Sequence, residues 1–472
     1  MTDVFSFALW AGGTLMLAYF GLVVLGYVVT TAIAFPALVR MRRWAASFHV
    51  DEAASAASSP PVTLVAPMYN ESAVCVEAVR ALLGVDYASK EILVVNDGST
   101  DDTVARLTES FRLVPALRPQ TAAIATADVR GVLRSLDRPD LWLIDKENGG
   151  KSDAINVAIN HCRTPLLCTL DGDSLLGADA LHRAVRPFLD DATTVAVGGT
   201  IGIVNDCTVR HGRVVAVRMP RSWAARFQVL EYVRSFSSSR VGWAAAQALP
   251  MISGAFGVFR RDALVAVGGL ENGMVGEDFE LTLKLHRYHR DHGLPYRISY
   301  VPDAVSWTEC PSSLDVLARQ RDRWHRGGFE VVWQHRAMLL NPRYGRIGMV
   351  SLPVFLAVEM LGPVVEAVSY IAFVVAYALG MLNAPVALLL LALALALGVA
   401  QSVAAIALDV YAFRRYRAGR DLALLLLLSV VENLGYRQLT VVWRLNGLWK
   451  FLRKDSSWGE MTRTGFTTDT AP

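Results

Sequence analysis

The chain has 472 residues, 53% of them hydrophobic and 19% charged, and carries a formal charge of +3. Soluble proteins usually carry about 25% charged residues, so the composition argues against a chain soluble along its whole length, and so small a charge gives no ground for a nucleic-acid partner. The five cysteines, Cys75, Cys162, Cys168, Cys207 and Cys310, are odd in number and never spaced Cys-x-x-Cys, which argues against a disulfide framework or a zinc site and for buried thiols in a reducing cytoplasm.

The charge deficit lies in the flanks. Ala8 to Phe35 has no charged residue; about 28 residues make a helix of about 42 Å, long enough to span a bilayer with tilt. Arg40, Arg42 and Arg43 follow it, which by the positive-inside rule puts its C-terminal side in the cytoplasm. Asp51 to Pro61, rich in Ala, Ser and Pro, is a linker.

From 62 to 340 the chain alternates β-branched runs with helical patterns, as an α/β sheet does. The strand pattern 62–67 runs out at Tyr69 and Glu71, 91–97 ends at Asp97, 141–145 precedes Lys-Glu-Asn-Gly-Gly-Lys151, and 165–173 ends in Asp171-Gly172-Asp173. Ligands of open α/β sheets bind beyond the carboxyl ends of the strands, so these four ends are expected to line one crevice. Alone, Asp97 before Gly98 is an ordinary turn former and Lys151 a solvated lysine; together they suit a nucleotide sugar. A diphosphate needs a hard cation held by one or two carboxylates, for which Asp173 is the candidate ligand. Asp171 can hold a ribose hydroxyl, Lys151 can neutralise the diphosphate, and Asp97 can accept from the base.

Glu277 and Asp278 open an amphipathic helix, a place that favours ionised carboxylates and suits a general base for an acceptor hydroxyl. Because adjacent helical residues point about 100° apart, one of the two is expected to face the site. Ser312 with Asp315 reads as a capping box. On the helix that follows, Leu317, Gln320 and Trp324 share a face, with Arg323 beside them. Gln and Arg are unusual in a core and natural beside a sugar, on which Trp can stack.

Three apolar stretches follow. Ile347 to Leu382, broken at Gly362-Pro363, is expected to bend from an interfacial helix into a spanning one; Glu359 and Glu366, seven residues apart, share a helix face. Pro385 to Phe413 is a clean span, followed by Arg414, Arg415, Arg417 and Arg420. Leu422 to Trp443 carries Glu432, Asn433, Arg437 and Gln438 near its middle. Such charges are costly in lipid, so a re-entrant or interfacial segment and a cytoplasmic tail are expected. The resulting division is a membrane helix over 1–45, a linker over 46–61, a catalytic domain over 62–340, interfacial and membrane helices over 341–445, and a tail over 446–472.

The series Asp97, Asp171-Gly172-Asp173, Asp278 and Gln320-Arg321-Asp322-Arg323-Trp324 resembles the "D, D, D, Q-x-x-R-W" signature of processive family 2 glycosyltransferases, which include cellulose, chitin, hyaluronan and poly-N-acetylglucosamine synthases. The resemblance covers roughly 60 to 330, and its motifs are specific jointly rather than singly. It implies an α/β fold, a GT-A-type nucleotide-sugar-binding domain embedded between transmembrane helices, with an inverting mechanism and Mg²⁺ or Mn²⁺. Carried over, it gives Asp97 and Asp171 to the nucleoside, Asp173 to the metal, Asp278 to general-base catalysis, and Gln320, Arg323 and Trp324 to the acceptor end. Tyr69, Glu71 and Lys151 complete the substrate-binding set. Trp458-Gly459-Glu460-Met461-Thr462-Arg463 looks like a lengthened Trp-Gly-Thr-Arg motif of hyaluronan and chitin-type synthases.

The implied partners are a UDP-sugar donor (UDP-GlcNAc or UDP-glucose foremost), a growing β-linked polysaccharide, the lipid bilayer and a small accessory membrane subunit, with no nucleic acid. The implied location is the bacterial plasma membrane, multi-pass, with the catalytic domain cytoplasmic. Two other functions stay open: a non-processive transferase acting on a lipid, told apart by product length, and an inactive scaffold, which would lack a catalytic carboxylate.

Overall fold

The computed structural model describes residues 2–46, 59–172, 174–210, 212–381, 383–416 and 418–455. Asp173, Arg417, most of the linker and the Trp458–Arg463 motif lie outside the described residues.

The order begins with helix α1 (Thr2–Ala46), then strands β1 (Val62–Met68), β2 (Lys90–Asp97), β3 (Leu113–Pro115), β4 (Val129–Ser135) and β5 (Leu141–Lys146). Helix α2 (Lys151–His161) precedes β6 (Leu166–Leu170), β7 (Leu175–Leu176), β8 (Thr194–Ile203) and the short pair β9 (Thr208–Arg210) and β10 (Arg213–Ala216). Helix α3 (Trp223–Arg234), β11 (Phe256–Arg260), α4 (Glu277–Asp291), β12 (Arg297–Thr308) and α5 (Leu314–Gln334) complete the domain. Of the later helices, α6 (Gly362–Ala378), α7 (Ala384–Ala412), α8 (Gly419–Val431) and α9 (Arg437–Leu452) matter below.

One ten-stranded sheet runs β3-β4-β5-β2-β1-β6-β11-β8-β12-β7. Its centre, β5-β2-β1-β6, is parallel, with Val62 opposite Lys90 and Leu166, and Ile92 opposite Leu141. Strands buried on both faces need continuous apolar runs, and these have them: Leu64, Ile92 and Val94 pack into one core, Val65, Leu93 and Val95 into the other. All five cysteines are buried and unpaired, as the sequence suggests.

Among the described residues three helices are long and apolar enough to cross a membrane: Gly13–Arg43, Ala384–Ala412 and Gly419–Leu452. A bent pair, Ile347–Met360 with Gly362–Ala378, meets at 43°. The bend falls at the expected break, where Pro363 sits in the first turn of α6, the helical position that needs no amide hydrogen. Glu359 and Glu366 therefore stand on two arms of a bend, not on one straight helix. Between α8 and α9, Leu434 and Gly435 leave helical geometry, Gly435 at φ +116°. The α5 cap also differs from the expected box: Ser313 caps Val316 N, while the Ser312 hydroxyl is engaged by Asn205 Nδ2 at 3.1 Å.

Candidate active site

The parallel strands end together, so the loops after β1, β5 and β6 converge with the N-termini of α2 and α4. They border a cavity of about 2960 Å³, several times the 300–1,000 Å³ usual for a small-ligand pocket. Tyr69, Glu71, Lys151, Asp171, Asp278, Gln320, Arg323 and Trp324 all line it. Of the predicted site residues that are described, Asp97 alone does not.

Asp97 is 3% exposed. It faces Lys146 in the β2–β5 register, and Lys146 Nζ donates to its Oδ1 at 2.5 Å. Gly149 N and Gly150 N donate to the same carboxylate at 2.9 and 2.8 Å. Lys146, wholly buried, also meets Asp153 at 2.7 Å. A buried ion is tolerated when paired and hydrogen-bonded, and here the pairing clamps the loop that opens α2. Gly98 (φ +69°) presses against that loop, where a Cβ would come 2.6 Å from Asn148 N, so only glycine fits. As described, Asp97 holds the loop carrying Lys151 and offers no face to the cavity.

Lys151 stands at the first position of α2 and pairs with Asp171 at 2.6 Å and Glu277 at 3.2 Å. Burial pulls its ammonium down, but Asp171 and Glu277 outweigh that and raise it above its ordinary value, so it stays charged. Burial pushes Glu277 above the usual carboxylate range, with Lys151 offsetting part of the shift. Asp278 accepts from Gly254 N at 2.9 Å and Phe279 N at 2.8 Å, two amides that fix its orientation. Glu277 and Asp278 both line the cavity, against the expectation of one. The cavity sits over the end of the helix rather than beside it, so angular separation around the axis does not divide them.

Helix α5 forms the facing wall. Leu317 is fully buried, Gln320 is 8% exposed and Trp324 44%, so the stripe passes from core to cavity. Gln320 Oε1 has no hydrogen-bond partner among the described residues. The cavity continues between α1, α6, α7 and α9, past Tyr19, Tyr27, Gln401 and two ion pairs, Arg444–Glu359 at 2.9 Å and Arg437–Glu366 at 2.5 Å.

Sequence reasoning missed Lys146, Glu231 and Tyr436, and passed over Arg321. Lys146 had a faint signal, a charge closing an apolar strand opposite Asp97. Glu231 and Tyr436 sit in unremarkable helical patterns and had none.

Residues 60–327 match the family model described as "Glycosyltransferase like family 2", more than half of the chain. The chain belongs to glycosyltransferase family 2 and is a glycosyltransferase. A poly-beta-1,6-N-acetyl-D-glucosamine synthase of Staphylococcus aureus (strain COL) is 28% identical over 272 residues, 57% of this chain and 55% of that protein. The Staphylococcus epidermidis protein of the same description is 27% identical over the same length and the same shares. The chain thus spans about half the length of the curated relatives it matches. Among solved structures, the mannosyltransferase PcManGT from Pyrobaculum calidifontis, in complex with GDP-Man and Mn²⁺, aligns with a TM-score of 0.49 at 21% identity, over 87% of this chain and 99% of that one.

Proposed function

We propose that the chain polymerises sugars from a UDP-sugar donor into a β-linked polysaccharide and feeds the product along its helices. The observation that carries this is the continuity of one cavity from Lys151, Asp171 and Asp278, past Trp324, to the Glu359 and Glu366 pairs among the helices. UDP-GlcNAc and UDP-glucose are the donors to test first, since the staphylococcal relatives are described as poly-N-acetylglucosamine synthases.

In this scheme Lys151 neutralises the donor diphosphate and Asp171 holds the nucleoside. Asp97 acts through the loop it clamps. Asp278 takes the proton from the acceptor hydroxyl as that oxygen attacks the anomeric carbon opposite the leaving UDP, which inverts the centre. Gln320, Arg323 and Trp324 hold the acceptor end, with Tyr69 and Glu71 on the rim. No group of three His, Cys, Asp or Glu residues is placed to hold a metal among the described residues. Magnesium beside a nucleotide needs only one or two carboxylates and the phosphates; Asp173, which lies outside the described residues, is the ligand proposed for a Mg²⁺ or Mn²⁺ that enters with the donor, next to the cavity-lining Asp171. Such an ion would neutralise the leaving diphosphate.

The α8–α9 pair supports a re-entrant path and a cytoplasmic tail. Before α8, Arg415 donates to Pro302 O at 2.6 Å. At the far end Lys450 pairs with Asp322, and Arg326 donates to Asp455 O at 2.6 Å. Both ends thus return to the catalytic domain. A second scheme, transfer of one sugar to a lipid, draws on the apolar wall that α1 and α7 give the cavity, through residues such as Val23, Leu391 and Leu397.

The test is purified protein with a panel of UDP-sugars and Mg²⁺ or Mn²⁺, scored for UDP release and product size. A polymer supports the proposal. A lipid carrying a single sugar replaces it with the second scheme.

A further inference from the structure

The Q-x-x-R-W signature leaves two positions of α5 unspecified. We propose that the first of them, Arg321, is a positioning residue that holds the Trp324 ring in the plane an acceptor sugar stacks on, and that Glu231 and Tyr436 anchor it there. The proposal rests on the assignment of Trp324 to the acceptor.

Arg321 and Trp324 are three residues apart and so neighbours on one helix face. The guanidinium lies 4.6 Å from the ring centroid, within the range of a cation–π contact. An arginine with four rotatable bonds holds a ring only if it is itself held. Glu231 of α3 pairs with it, and the other Glu231 oxygen accepts from Tyr436 Oη at 2.9 Å. Tyr436 is fixed in turn by its ring, stacked on Phe227 at 4.2 Å, immediately beyond the Leu434–Gly435 break.

The exposures assign the roles. The Arg321 side chain is 12% exposed, whereas Trp324 is 44% exposed. The cation thus covers one ring face from the protein side and leaves the rest of the indole to the cavity. Burial draws the guanidinium down, but Glu231 and then Tyr436 outweigh it, and the net shift is upward; the plate stays charged. All four residues line the cavity, so the chain Trp324–Arg321–Glu231–Tyr436 links the acceptor wall to the helix layer. A tie that merely joined α5 to α3 would not need a cation stacked on a half-exposed tryptophan.

The experiment uses the full chain in nanodiscs, the UDP-sugar it turns over fastest, and a tetrasaccharide of the same sugar as acceptor. KM for donor and acceptor, kcat and melting temperature are measured for wild type, Arg321→Met, Arg321→Lys, Glu231→Gln and Trp324→Ala. Arg321→Met is expected to raise the acceptor KM about three- to thirty-fold, the span of a cation–π contact, with donor KM unchanged. Arg321→Lys, which keeps the charge and the pairing but loses the flat plate, is expected to fall between, and carries the test should Arg321→Met not accumulate. Glu231→Gln is expected to act in the same direction, and the Glu231→Gln, Arg321→Met double variant to be no worse than Arg321→Met, since the two act through one contact. Should Trp324→Ala raise the acceptor KM while both Arg321 variants leave it unchanged, the positioning role is overturned and the acceptor assignment stands. Should Trp324→Ala itself leave the acceptor KM unchanged, the acceptor assignment falls and the positioning role with it. Donor KM, acceptor KM and melting temperature worsening together in the Arg321 variants would also overturn the proposal, as the mark of a structural tie.

Discussion

The lysine at the centre of the sheet domain and the two ion pairs on the cavity wall of the helix layer use charge in opposite ways. In the domain Lys146 is fully buried between Asp97 and Asp153, themselves 5% and 3% exposed at the side chain. In the helix layer two pairs stand open to the cavity, Arg437 43% and Glu366 16% exposed, Arg444 33% and Glu359 40%, while Arg415–Asp409 is nearly as sealed as the lysine, at 10% and 5%. A sealed pair fixes a backbone; an open pair can trade its partner for a passing hydroxyl. On the proposed function, the domain is the part that makes the bond and the helix layer the part that conducts what is made.

That division is broken or sharpened most strongly at Asp278. Asp278→Asn is expected to cut transfer by about 10²- to 10⁴-fold while UDP-sugar affinity stays nearly intact, measured by donor binding alongside turnover. Affinity falling as far as turnover would move Asp278 to the donor site. Turnover surviving there but lost in Glu277→Gln would make Glu277 the base.

Next comes the sealed lysine. Lys146→Met strands two buried carboxylates, and breaking a buried pair costs about 3–5 kcal/mol. Thermal unfolding in detergent is expected to show that loss, and unchanged stability would erase the contrast between the two regions.

A third effect belongs to histidines of the domain. Burial holds His161 and His286 at about 4 and His325 at about 3, with Arg118 adding to the shift of His161 and Arg444 to that of His325. The unfolded chain takes up these protons below about pH 6.5 and the fold excludes them. Stability is therefore full above that value and falls as the pH drops towards 4, by up to about 1.4 kcal/mol per pH unit for each histidine. Melting temperatures between pH 7.5 and 5 check this, with His286→Asn expected to flatten the slope. A flat wild-type profile would contradict it.

The smallest stability effect is expected in the helix layer. Arg437→Gln is predicted to cost less than about 1 kcal/mol, as solvent-screened pairs do, and to leave UDP release to a short acceptor intact while shortening the product. A stability loss as large as that of Lys146→Met would make this pair structural.

Much of the domain was legible because its physics is local. A strand buried on both faces must be an apolar run, and such runs mark β1, β2 and β5 to within a residue, while β6 stops at Leu170, three residues before the end of its pattern. Their ends placed Tyr69, Glu71, Lys151 and Asp171 around one crevice without any knowledge of pairing, whereas Asp278 was read from the start of a helix. The position of Asp97 was not legible, since whether a strand-end carboxylate faces a ligand or a neighbouring lysine depends on register, and the register is not local. The same holds for Glu231 and Tyr436, 205 residues apart and joined by one hydrogen bond. In the helix layer, apolarity and Pro363 marked the bend, but the pairing of Glu359 with Arg444 and of Glu366 with Arg437 depends on how α6 packs on α9.

The proposal that product passes from Asp278 through the cavity to the helix layer is tested most directly in sealed vesicles carrying the full chain, with the glycosyltransferase domain outside. Donor sugar and divalent cation are added to the outside, and the product is then challenged with a glycosidase that cannot enter. The account predicts a polymer that accumulates inside, protected until detergent opens the vesicles. Polymer digested without detergent, or a single sugar left on a lipid, would contradict it.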